Sequence, residues 1–89
     1  MKYREKSVEV VDAIKHEGIE TWPEVYKFIQ SGNMKEWAMS PDGTLSILTV
    51  EGRTMLVQIG DWITLGARGL NWYRADWFEM MYEKLEDTL

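Results

Sequence analysis

Arg53, Arg68 and Arg74 fall within one stretch of the chain that also carries Asn71 and the aromatic pair Trp72-Tyr73. Those residue types together are suited to holding a nucleotide. A ring stacks on the base, a guanidinium pairs with phosphate, and an Asn amide reads a base edge. A ligand site at Arg53, Arg68, Asn71, Trp72, Tyr73 and Arg74 is therefore one expectation, with the competing reading that Trp62 is core and the arginines solubilise hairpins. Trp72 and Tyr73 are adjacent on a strand and point to opposite faces, so one of them is expected to be exposed.

Other chemistry finds less support. His16 is the only histidine and there is no cysteine, so a nucleophile activated by a neighbouring base has few components from which to be built. His16 itself is expected as a solvated residue at a strand end. Asp76, Glu79, Glu83 and Glu86 recur at steps of three and four, which suits a wetted helix face better than a converging metal site. Gly66-Ala67-Arg68-Gly69 is too short for a phosphate loop of the Walker kind and reads as a hairpin turn. Neither an enzyme nor a cofactor nor a metal is expected.

The whole chain limits the alternatives. Eighty-nine residues with a hydrophobic fraction of 45% and a charged fraction of 28% are expected to form one domain, residues 1–89. No apolar run approaches the roughly 18–20 residues of a membrane span. Met1 to Lys6 leads into alternating residues without the apolar core of a signal peptide, so a cytoplasmic location is expected. The net charge of −5 disfavours non-specific DNA binding. Without disulfides, so short a chain rests on apolar packing or on a partner subunit, which leaves a homo-oligomer open. Five Trp, four Tyr and two Phe serve equally in a core or at an interface. Trp37, Trp77, Glu79 and Glu83 are the interface candidates.

The elements that must position these residues follow from periodicity. Tyr3 to Ile14 reads as a strand with a bulge near Val10. Thr21-Trp22-Pro23-Glu24 has the capping-box pattern, opening a helix to Gln30 that Ser31-Gly32-Asn33 ends. Short strands follow, separated by Ser40-Pro41-Asp42-Gly43, Glu51-Gly52, Gly60-Asp61 and Gly66 to Gly69. Asp76 then caps a second helix, with Trp77, Met80, Met81 and Lys84 on one side and Phe78, Tyr82 and Leu85 broadening the apolar face. The expected fold is α+β in the order β-α-β-β-β-β-β-α, a curved antiparallel sheet of five or six strands or a partial barrel.

Several of these segments coincide with a known pattern. Gly60-Asp61-Trp62-Ile63, Gly66-x-x-Gly69, Trp72-Tyr73 and Asp76-x-Phe78-Glu79-x-x-Tyr82-Glu83 resemble a family of small phage and prophage proteins of unassigned function. Tyr3-Arg4-Glu5-Lys6, Val8 to Val11 and Ala13-Ile14 resemble the start of those proteins. The chain departs from the pattern in having Ile59 before Gly60, Arg74-Ala75 before Asp76, and no Cys. The resemblance implies a phage setting, inside an infected or lysogenic bacterium. Two functions then stand side by side. One is a non-catalytic counter-defence factor that sequesters a small nucleotide-like ligand at the arginine and aromatic residues. The other is an acidic inhibitor that blocks a host or defence protein, including by DNA mimicry along the second helix.

Overall fold

The computed structural model describes residues 2–5 and 10–84, and the side chains of residues 11–82. The elements in chain order are β1 (Lys2–Glu5), β2 (Val10–Lys15), a 3-10 turn (Ile19–Thr21), α1 (Trp22–Gln30), β3 (Met34–Met39), β4 (Leu45–Thr49), β5 (Thr54–Val57), β6 (Trp62–Gly66), β7 (Gly69–Tyr73), α2 (Ala75–Met81) and β8 (Tyr82–Lys84). The α+β class and the succession of strands and helices from β2 to α2 are as expected. At the N-terminus, the segment read as one bulged strand divides into β1 and β2, which pair antiparallel with Tyr3 opposite Val11.

The strands do not close into a barrel. They form a five-stranded sheet in the order β7-β6-β2-β1-β8 and a three-stranded sheet in the order β3-β4-β5. The separation is made at residues 58–61. Asp61 N–H donates to the Gln58 carbonyl and Gln58 N–H to the Asp61 carboxylate, both at 3.0 Å. The same turn is fastened to the end of β2, where Gly60 N–H donates to the His16 carbonyl at 2.7 Å and His16 N–H to the Asp61 carbonyl at 2.9 Å. The chain leaving that turn is aligned with β2 instead of returning along β5, and Lys15 pairs with Trp62.

Alternation then gives the larger sheet two buried faces. Ile14, Ile63 and Trp72 are in register across β2, β6 and β7 and face one side, while Ala13, Thr64 and Asn71 face the other. The first side packs with Val25 and Ile29 of α1 and with Leu45, Ile47, Met55 and Val57 of the smaller sheet. The second joins Val11 and Ala13 to Phe78 and Tyr82, with Trp62 and Tyr73 alongside. Each fully buried Ile, Leu or Phe here contributes about 1.5–3 kcal/mol by leaving water, opposed by the entropy of ordering the chain.

Both helix starts differ from the capping patterns in the sequence. Thr21 makes no side-chain cap to α1. Its hydroxyl instead accepts from Glu17 N–H at 3.0 Å and donates to the Gly18 carbonyl at 3.2 Å, because the 3-10 turn occupies the approach to the helix. α2 begins at Ala75, with Arg74 at the cap position. Asp76 therefore lies in the first turn, where its charge favours the positive end of the helix dipole.

Candidate functional site

The arginine and aromatic residues singled out in the sequence are dispersed. Arg53 donates through Nη2 to the Leu70 carbonyl, and Asn33 Oδ1 accepts from Leu70 N–H at 2.9 Å. Both polar groups of Leu70, on the edge strand β7, are thus satisfied by residues that immediately precede β3 and β5, which blunts that edge. Asn33 reaches further, donating to Glu51 at 2.5 Å and accepting Val50 N–H at its own carbonyl at 2.9 Å. A side chain at Gly69 would meet Asn33 at 2.8 Å, so this strap requires glycine there.

Arg68, Asn71 and Tyr73 do share a hollow, but its volume is about 60 Å³, against roughly 300–1,000 Å³ for small-molecule sites. Trp72 is on the opposite face, packed on the core beneath α1. Arg74 is exposed ahead of α2. The expected exposure of Trp72 or Tyr73 is also corrected, since both are half-buried for the reason that both faces of the larger sheet are covered.

Among the interface candidates, Trp77 lies against Tyr73 with ring centroids 4.7 Å apart and planes 13° from parallel, and remains 40% exposed. Glu79 accepts from Trp62 Nε1 at 3.3 Å and lies 3.8 Å from Lys15 Nζ. The expected acidic row does not form one helix face. Tyr82 is extended, with φ −117° and ψ 147°, and its ring stacks on Phe78 at 4.6 Å. Glu83 consequently belongs to β8, paired with Arg4 of β1 in backbone register. Its side chain and all of Glu86 lie outside the described residues, as does Leu85. Met80, expected on the apolar face of the second helix, is 63% exposed.

Trp37 leads to a different place. A groove of about 620 Å³ runs between the start of α1, β3 and the turns at residues 40–43 and 58–61, with Trp22, Trp37, Met39, Ile19 and Ile59 among its walls. Trp37 and Trp22 are 4.6 Å apart, and Tyr26 contacts both at 5.9 and 5.5 Å. Trp37 lies on the edge strand of the smaller sheet, opposite buried Ile47. Its ring therefore leans over the core side at the border of the sheet and stays 42% exposed, with Ile59 at 55% and Ile19 at 78%.

The groove has a rigid polar end. Ser40 and Thr44 close the turn, with Gly43 N–H donating to the Ser40 carbonyl and Ser40 N–H to the Thr44 carbonyl, each at 2.9 Å. The Asp42 carboxylate accepts from the Ser40 hydroxyl at 2.5 Å and from Thr44 N–H at 3.0 Å. The Ser40 hydrogen bond, followed by those from Thr44, holds the Asp42 carboxyl below its ordinary value of 3.8.

His16 stands behind this turn. It is fully buried, which corrects the expected solvated residue, and its Nε2 is 2.7 Å from the Gly43 carbonyl. A carbonyl only accepts, so Nε2 is the donor, and the buried Nδ1 has no hydrogen-bond partner among the described residues. The imidazole is committed to holding the turn and is not among the residues lining the groove.

Ile19, Met39, Ile59 and Asp42 were not singled out in the sequence. The turn chemistry of Ser40 to Gly43 was visible, but its approach to Ile19 and Ile59 depends on the packing of distant segments. Among the described residues, no three His, Asp or Glu side chains are grouped to hold a metal ion, and no helix is long and apolar enough to cross a membrane. No family model matches the chain, and neither the curated proteins nor the solved structures yield a match.

Proposed function

We propose that this chain is a non-catalytic binding protein that acts by occupancy, docking on a partner protein through the groove between Trp22, Trp37 and Ile59. The observation that carries this reading is the groove itself: an open apolar concavity with large side chains exposed on its walls. Apolar surface gathered around aromatic anchors is the usual composition of a protein contact centre. The resemblance of the chain's two ends to small phage proteins supports a setting in an infected bacterial cytoplasm, where blocking a host or defence protein is the corresponding activity. Nucleotide sequestration has less support, since its six residues do not converge and the hollow they share in part is small.

The reading is tested by photocrosslinking in bacterial cells. Benzoylphenylalanine placed at Ile19, on the groove wall, is expected to give a discrete protein adduct, whereas the same group at Met80, exposed on α2, is expected to give none. An adduct at Met80 alone would transfer the contact surface to the second helix and overturn the assignment.

A further inference from the structure

The charge around the groove is one-sided. Taking its lining residues with the chain neighbours on either side of each gives nineteen positions: 17–23, 36–44 and 58–60. Four of these are acidic, Glu17, Glu20, Glu36 and Asp42, and none is Lys or Arg. With ten Lys and Arg in 89 residues, an even distribution would put about two there, so these positions carry a local charge of −4 where an even share of the chain's −5 would be about −1.

The acids are not equivalent. Glu36 is in register with Leu48, one position out of phase with Trp37 and Ile47, and so faces the outer side of the smaller sheet. Glu17 and Glu20 flank the wall formed by Gly18 and Ile19, and Glu17 is 4.0 Å from Lys15. Asp42 lines the groove directly and is fixed by its bonds to Ser40 and Thr44. An anionic ligand entering here meets like charge, while a cation meets carboxylate and a wall that contains the indoles of Trp22 and Trp37, a ring type that attracts cations.

Resting on the reading of this groove as a docking surface, we infer that its occupant is a basic segment of a partner protein, one that presents a large apolar side chain between Lys or Arg residues. The apolar side chain enters between Trp22, Trp37 and Ile59. The flanking cations lie toward Asp42, Glu17 and Glu20. This arrangement divides the work in the way common to protein contacts, with desolvated aromatic packing at the centre supplying affinity and charge at the rim supplying orientation and partner choice.

The probes are short capped peptides labelled with fluorescein: a central Trp flanked by arginines, the same with glutamates, and the arginine peptide with a central Ala. Anisotropy titrations at low salt are expected to show the arginine–Trp peptide binding about tenfold or more tighter than either control, with the margin over the glutamate peptide narrowing as salt screens it. Asp42→Asn is expected to narrow that margin severalfold without salt. Trp37→Ala, and Ile19→Ser as a variant at a more exposed position, are expected to weaken both Trp peptides.

Equal binding of the arginine–Trp and glutamate–Trp peptides, with both weakened by Ile19→Ser, would overturn the basic occupant while leaving the groove as the docking surface. Binding that ignores the central residue and survives Ile19→Ser would assign the attraction to general surface charge, overturning the inference. Failure of both Trp peptides to bind would count against the groove reading and the inference together.

Discussion

Asp42 illustrates how a single residue joins local structure to surface chemistry. Its carboxyl is held low first by the Ser40 hydroxyl and then by Thr44, so the folded chain favours the ionised form more than the unfolded chain does. The stability this contributes is present above the unfolded value of 3.8 and is lost as pH falls through the lower folded value. Asp42→Asn is accordingly expected to melt below the wild-type chain at neutral pH, with the two melting curves converging under strongly acidic conditions. A gap that is unchanged across that range would show that the carboxylate charge has no part in the turn. At the same scale, Arg53 and His16 show why residue type alone misleads. An arginine near aromatics suggested a ligand contact, yet its guanidinium satisfies Leu70. A lone histidine suggested a solvated strand end, yet the 40–43 and 58–61 turns enclose it. In each case the partner is far away in sequence, and nothing in local spacing points to it.

At the scale of elements, local chemistry carried most of what was legible. The helix ending at Gln30 and the turns at Asp42-Gly43, Glu51-Gly52, Gly60-Asp61 and Gly66 to Gly69 all follow from side chains within a few residues of one another. The division into two sheets does not, because it depends on His16 receiving the 58–61 turn. The end of α2 was hidden for a related reason: helical spacing continues past Met81, but burial of Tyr82 against Phe78 and pairing of β8 with β1 override it. The turn that ends the groove makes a further test. Gly43 has φ +91°, and a Cβ there would lie 2.5 Å from Ile59 Cδ1, whereas Gly60 has φ +98° and open space around it. Both Gly→Ala changes incur backbone strain of about 1–2 kcal/mol. Gly43→Ala is expected to cost more by roughly 1 kcal/mol, and Ile59→Val, which removes the obstructing methyl, should reduce that excess in a double-mutant cycle read by urea unfolding. Equal costs at the two glycines would mean that the turn and Ile59 are not packed as described.

For the whole molecule, the excess of aromatics noted in the composition is shared among three uses. Trp62, Phe78, Tyr82 and Tyr73 fill the space between the larger sheet and α2. Trp72 of β7 and Phe28 of α1 pack against the core shared by α1 and the smaller sheet. Trp22 and Trp37 border the groove, Trp22 half-buried and Trp37 exposed. The sequence marked Trp37 as an interface residue but did not show its setting, because the groove is assembled from segments around residues 19, 37, 42 and 59. The most direct comparison is capture of a protein partner from bacterial lysate by the folded wild-type chain, Trp37→Asp, Arg68→Ala and Glu79→Lys in parallel. The groove account predicts that Trp37→Asp alone loses the partner, while Arg68→Ala and Glu79→Lys retain it. Retention by Trp37→Asp together with loss by either of the other two would contradict it.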